Sequence, residues 1–66
     1  MSNVIIKVSE SKMNEMKAAY QANLLQKKIP YTNFSAKKNG TTITAYTSGK
    51  VMFQGANAEQ EARRWG

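Results

Sequence analysis

The stretch that decides the fold is Ile43-Thr-Ala-Tyr-Thr-Ser-Gly-Lys-Val-Met-Phe-Gln-Gly55, which has the pattern of a β-hairpin. Ser48-Gly49 supplies the turn, because glycine accepts the positive φ that tight hairpins require. Alternation predicts an apolar face made of Ile43, Ala45, Val51 and Phe53. It predicts a second face made of Thr42, Thr44, Tyr46, Lys50, Met52 and Gln54. The second face is basic and rich in hydrogen-bonding groups, and it has no carboxylate.

The residues before Pro30 predict one strand and one helix. Apolar alternation predicts a first strand over about residues 3 to 8. Ser9 is a good N-cap residue, and a helix is predicted from Glu10 to Lys28, since Pro30 prevents continuation beyond that point. The apolar stripe of this helix consists of Met13, Met16, Tyr20 and Leu24.

The residues after Pro30 predict three strands and a second helix. Asn39-Gly40 is the strongest short hairpin signal in the chain. Asn57, with Gln60 three residues later, forms a variant of the capping box. The predicted elements are strands over Thr32 to Lys38, Thr41 to Thr47 and Lys50 to Gln54, and a helix over Ala58 to Trp65 with Ala58, Ala62 and Trp65 on its buried side.

The element order β-α-β-β-β-α predicts an α+β fold in one domain, residues 1 to 66. Two hairpin connections and one crossover helix imply a four-stranded, mostly antiparallel sheet with both helices on one face. The other face of the sheet is then open to a ligand. Its predicted side chains are Ile5, Lys7, Asn33, Ser35, Lys37, Thr42, Thr44, Tyr46, Lys50, Met52 and Gln54.

Composition favours a polyanionic partner. Ten Lys and Arg against four acidic residues give a net charge of +6, and the pI is about 9.9. The chain has no Cys and no His, which excludes disulfides, thiolate zinc sites and the commonest catalytic base. No apolar run is long enough to span a membrane, and Met1-Ser2-Asn3 does not begin a signal peptide, so a cytoplasmic location is predicted.

The open face has the chemistry of a nucleic-acid contact rather than that of an active site. Lysines suit phosphates, and hydroxyl and amide groups suit a groove. All four acids, Glu10, Glu15, Glu59 and Glu61, are predicted on the helices, where they fit helix-dipole and solubility roles and cannot converge on a catalytic metal. The predicted binding residues are Lys7, Asn33, Ser35, Lys37, Thr42, Thr44, Tyr46, Lys50, Met52 and Gln54.

The hairpin Ile43 to Gly55, with Phe34-Ser-Ala-Lys37 before it and Ala58-Glu-Gln-Glu-Ala-Arg-Arg-Trp65 after it, resembles the N-terminal domain of bacterial ribonuclease HIII. That domain is similar to half of the TATA-binding protein. The resemblance implies binding of RNA/DNA hybrid for an attached ribonuclease H domain, which would hold Mg²⁺ or Mn²⁺. Because this chain stops at Gly66, without metal-binding carboxylates, it is expected to bind and not to cleave, and to need no cofactor.

An alternative of another class stays open at this point. The same sheet face, or the edges of its strands, could dock a protein partner instead of a nucleic acid.

Overall fold

A computed structural model describes residues 2–26 and 29–66 of the chain. Its elements are β1 (Ser2–Lys7), α1 (Glu10–Ala19), a 3₁₀ turn (Gln21–Asn23), β2 (Thr32–Lys38), β3 (Thr41–Tyr46), β4 (Lys50–Gly55) and α2 (Ala58–Arg63). The strands form one sheet in the order β1-β4-β3-β2, and every neighbouring pair is antiparallel. The predicted fold class and element order are confirmed.

Two tight turns fix the register of the central strands. Asn39 and Gly40 both have positive φ, 53° and 71°, which is the conformation of the Asn-Gly hairpin expected between β2 and β3. At the other end of the sheet Gly49 has a φ of 99° in the turn between β3 and β4.

Gly55 ends β4 at a φ of 130°, where a Cβ atom would collide with the carbonyl oxygen of Gly40. Only glycine fits there.

The start of α2 differs from the predicted capping box. The Asn57 side chain makes no cap hydrogen bond to its own helix. Its Nδ2 instead donates to the carbonyl oxygen of Asn39 at 2.7 Å. The Asn57 side chain therefore donates to a distant carbonyl in the β2–β3 turn rather than accepting from a backbone N–H of its own helix, and so it ties α2 to the sheet.

Helix α1 is shorter than the sequence predicts. Ser9 caps it as expected, its Oγ accepting from the backbone N–H of Lys12 at 3.1 Å. The helix ends at Ala19, however, and the predicted end at Lys28 lies outside the described residues. Leu24 forms a β-bridge with Ala36, and the N–H of Leu25 donates to the carbonyl of Ser35 at 2.8 Å. The outer edge of β2 offers unpaired backbone groups here, and pairing with them outweighs the weak preference of this segment for helix.

The core lies between one face of the sheet and the two helices. Helix α1 contributes Met13 and Met16, followed by Tyr20, while α2 contributes Ala58 and Ala62. The sheet contributes alternate residues of its strands, all of them buried: Phe34, Ala36, Ile43, Ala45, Val51 and Phe53. The inward face predicted from the alternation is confirmed.

A buried polar network joins the two helices. It contains Glu61, an acid for which the sequence predicted a role at the surface. Glu61 is only 4% exposed. One of its carboxylate oxygens accepts hydrogen bonds from the Tyr20 hydroxyl and from Arg64 Nη1, the latter at 3.1 Å. Trp65 Nε1 donates to the same Tyr20 hydroxyl at 2.8 Å. The solubility role predicted for Glu61 is therefore wrong, because its distant partner Tyr20 could not be read from the pattern of α2.

Replacing Tyr20 by Phe should lower the free energy of unfolding at neutral pH by about 1–3 kcal/mol, because Glu61 and Trp65 would lose a shared partner inside the protein. Burial, followed by the hydrogen bond to Glu61, raises the pKa of Tyr20 from 10.0 to about 12. The folded state therefore holds this proton more tightly than the unfolded state does. Its contribution is complete below pH 10 and is lost as the pH rises through about 12.

Urea unfolding of wild type and Tyr20→Phe across this pH range measures the difference directly, and that difference should shrink as Tyr20 ionises. Tyr31→Phe, which removes a hydroxyl from an exposed side chain, is the matched control for the chemical change. A gap between wild type and Tyr20→Phe that stays constant throughout would contradict the network.

Candidate nucleic-acid interface

The face of the sheet opposite the helices carries its side chains in three rows that cross the strands. The rows follow from the pairing register, since directly opposed residues share a face. The first row is Asn3, Gln54, Thr42 and Lys37. The second row is Ile5, Met52, Thr44 and Ser35. The third row consists of two opposed pairs, Lys7 with Lys50 and Tyr46 with Thr32.

Positive charge lies in the two outer rows of this open face and is absent from the middle one. Lys37 belongs to the first row and Lys7 and Lys50 to the third, and all three are exposed. At about 3.3 Å per residue, the outer rows are roughly 13 Å apart along the strands. The face therefore presents cations on two sides of a neutral band, as a ligand with two phosphate rims would need.

No acid neutralises these lysines within residues 2–26 and 29–66. The ion pairs there are Lys12 with Glu15 and Arg64 with Glu61, and both belong to the helical side. Lys7 lies directly opposite Lys50 in the pairing of β1 with β4. Like charges in that position destabilise a sheet. The placement of this pair is therefore not explained by folding.

The middle of the open face is more covered than the sequence predicts. Ser35 is 5% exposed and Thr44 is 6% exposed, so neither projects freely into solvent. Both have short side chains and lie in the centre of the sheet. In addition, the segment containing Leu24 and Leu25 pairs with the outer edge of β2 and lies next to Ser35. Ser35 Oγ has no hydrogen-bond partner among the described residues. These two hydroxyls form the floor of the face rather than its contact surface.

The remaining predicted residues lie on the rim of that floor. Thr42, Tyr46, Met52 and Gln54 are half-buried, with part of each side chain open to solvent. A hydroxyl, a phenol and an amide group are thus available beside the lysines, and each can both donate and accept hydrogen bonds. The arrangement can hold phosphates at its edges and hydrogen-bond a groove between them.

Asn33 is the one predicted residue that does not belong to the rows. A β-bulge places Thr32 opposite Tyr46 and Phe34 opposite Ala45, which leaves Asn33 without a partner across β3. Asn33 instead lines a hollow with Met13 at the start of α1. The extra residue breaks the alternation, so Thr32 takes the position that the sequence pattern assigned to Asn33.

Three residues at or beside the open face were missed or given no role. Asn3 is exposed and pairs with Gln54. It lies two residues before Ile5, so the alternation of β1 places it on the same face. Ile5 is 61% exposed and lies beside Met52 in the second row, but it was given no role. Leu25 borders the face only because the chain pairs with β2 after α1, and no local signal predicts that.

The described residues contain no group of three or more His, Cys, Asp and Glu side chains that could hold a metal ion. Among those same residues, no helix is both long enough and apolar enough to cross a membrane.

Comparison with known proteins gives a consistent set of matches. Residues 3–66 match the family described as a domain of unknown function, DUF3378. Ribonuclease HIII of Enterococcus faecalis is 60% identical over 63 residues, which are 96% of this chain and 21% of that protein. Ribonuclease HIII of Bacillus subtilis is 50% identical over 66 residues, which are 100% of this chain and again 21% of that protein.

A solved structure shows the same fold. The crystal structure of Bst-RNase HIII in complex with Mn²⁺ superposes with a TM-score of 0.89 at 39% identity, over 98% of this chain and 21% of that one. The resemblance drawn from the hairpin is confirmed. The chain spans about a fifth of the length of the relatives it matches, 21% of each, and is not itself the whole of such an enzyme.

Two adjacent residues of β4 test the assignment of the faces. Phe53→Ala should cost about 3–5 kcal/mol of unfolding free energy, because Phe53 is fully buried under the helices. Met52→Ala removes a side chain of similar size from the open face, where it is only half-buried, and should cost clearly less. Chemical unfolding of both variants measures the difference. Equal losses, or a larger loss for Met52→Ala, would show that the faces are assigned the wrong way round.

Proposed function

We propose that this chain, which belongs to the DUF3378 family, is a domain that binds RNA/DNA hybrid on the open face of its sheet for a ribonuclease H domain of the same protein. In this proposal residues 1 to 66 form a single binding domain without catalytic activity of their own. The proposal includes a cytoplasmic location, because the ligand is nucleic acid.

The observation that carries the proposal is the opposed pair Lys7 and Lys50. Each lysine repels the other, and neither has an acidic partner among the described residues. A phosphate placed between or beside them would convert this repulsion into two attractive contacts. Lys37 lies on the far side of the face and could take a phosphate of the opposite rim.

The groups between the lysines suit recognition of groove shape rather than of base sequence. Thr42, Tyr46 and Gln54 can each donate or accept, so they tolerate different base edges and sugar hydroxyls. The floor beneath them is made of short, covered side chains such as Thr44 and Ser35, which reach less far. Contacts of this kind bind a duplex through its backbone and its width.

The names of the relatives support the proposed ligand and the proposed source of the chemistry. They are called ribonuclease HIII, and one solved relative holds Mn²⁺. A ribonuclease H acts on RNA paired with DNA, and we carry that hybrid over to this chain as part of the proposal. The three rows of the open face, all within the described residues, contain no carboxylate, and we propose that a catalytic metal is held by another domain.

The affinity for hybrid should fall steeply with salt. Three lysines contacting phosphates predict a slope of log affinity against log salt of roughly −3, at about 0.9 per contact. Fluorescence anisotropy of a labelled hybrid, titrated at several salt concentrations, measures this slope. Absence of binding at low salt would rule out the nucleic-acid proposal and favour the alternative, in which the same face docks a protein.

Lys50→Ala should weaken hybrid binding and reduce the magnitude of the salt slope by about 0.9, because one phosphate contact is lost. Lys17→Ala is the matched control, since it removes the same charge from an exposed position on α1, on the helical side of the sheet. Its slope should equal that of the wild type. Equal weakening by the two variants would indicate that net charge, and not this face, controls binding.

A further inference from the structure

The turn before β2 holds an aromatic residue in an unfavourable backbone conformation. Ile29, Pro30, Tyr31 and Thr32 form a β-turn in which the N–H of Thr32 donates to the carbonyl of Ile29 at 3.3 Å. Pro30 is in the second position, where its fixed φ is favoured. Tyr31 is in the third position with a φ of 65°. That position of a type II turn ordinarily carries Gly or Asn, because a side chain with a Cβ is strained there.

The side chain of Tyr31 is hardly packed against the part of the chain that the structure describes. Tyr31 is 84% exposed, the highest value among the exposed large hydrophobic residues described. Its hydroxyl makes no hydrogen bond to another described residue. Among the described residues, no side-chain hydrogen bond of Tyr31 offsets the cost of its positive φ, and its ring is left in solvent. A strained and exposed side chain of this kind points to a role outside the fold.

The backbone places Tyr31 beside the lysine row of the open face. Its carbonyl accepts a hydrogen bond from the N–H of Thr47 at 2.9 Å. The next residue, Thr32, lies opposite Tyr46 in the third row, which also contains Lys7 and Lys50. Tyr31 thus lies at the corner where that row meets the outer edge of β2. A duplex whose phosphates contact the lysines would have its sugars and base edges near this corner.

We infer that Tyr31 is a nucleic-acid contact, and that its ring packs against a sugar or base at the rim of the bound groove. This inference rests on the proposed function of the open face. Aromatic rings suit this contact because sugars and bases present apolar surfaces next to charged phosphates. The two backbone hydrogen bonds of this turn fix where the Cα atom of Tyr31 lies at the edge of the open face.

Substitutions of Tyr31 distinguish the effect of its ring on binding from the effect of its backbone conformation on stability. Tyr31→Asn suits the positive φ and removes the ring, so it should leave the midpoint of unfolding unchanged or raised. It should nevertheless weaken hybrid binding at least about fivefold, which is the low end of the loss expected for one aromatic contact. Tyr31→Phe keeps the ring and should bind nearly as the wild type does. Tyr31→Gly is a second variant that the turn accepts.

The readouts are anisotropy titration of a labelled RNA/DNA hybrid at fixed low salt and chemical unfolding of each variant. If wild type binds and Tyr31→Asn and Tyr31→Gly bind equally well, the inference is overturned while the proposed function stands. If Tyr31→Phe binds as weakly as Tyr31→Asn, the hydroxyl and not the ring makes the contact, and the inference is again overturned. If wild type does not bind hybrid at all, the proposed function fails first and this inference fails with it.

Discussion

The pairing of Ile43 with Phe53 across β3 and β4 determines what each face of the sheet carries. Both side chains are completely buried beneath the helices. A slip of β3 by one residue against β4 would turn Ile43 to solvent and bring Thr42 or Thr44 into the core. Burial of two large apolar groups thus holds the register, and the register in turn sets the positions of the groups on the open face. The arrangement of side chains on the open face is a consequence of core packing on the other side of the same strands.

Much of this arrangement could be predicted because it depends on neighbours in the chain. The alternation in β3 and β4 required no knowledge of other elements, and Asn39-Gly40 encodes its own turn. Ser9 likewise caps α1 through a bond only three residues away. Both helices pack on the same face of the four-stranded sheet, so within the described residues the other face is left open. The open face and the position of its lysines follow from these local signals.

The features that could not be predicted depend on partners distant in sequence. The segment after Ala19 leaves the helical path because the edge of β2 binds Leu24 and Leu25, and β2 begins several residues later. Glu61 is buried because Tyr20, 41 residues away, donates to it. Asn33 leaves its expected row because the turn containing Tyr31 enters β2 through a bulge. Periodicity describes an element in isolation, and each of these residues responds to a contact between elements.

The opposition of Lys7 and Lys50 has a consequence for the protein without its ligand. Dissolved anions that gather around the two ammonium groups would screen their mutual repulsion and stabilise the empty fold. If the face binds nucleic acid as proposed, the same anions would compete with its phosphates. Salt would therefore stabilise the free domain over the same range of ionic strength in which its proposed affinity for a polyanion declines. Ionic strength would thus act in opposite directions on the resting molecule and on its complex.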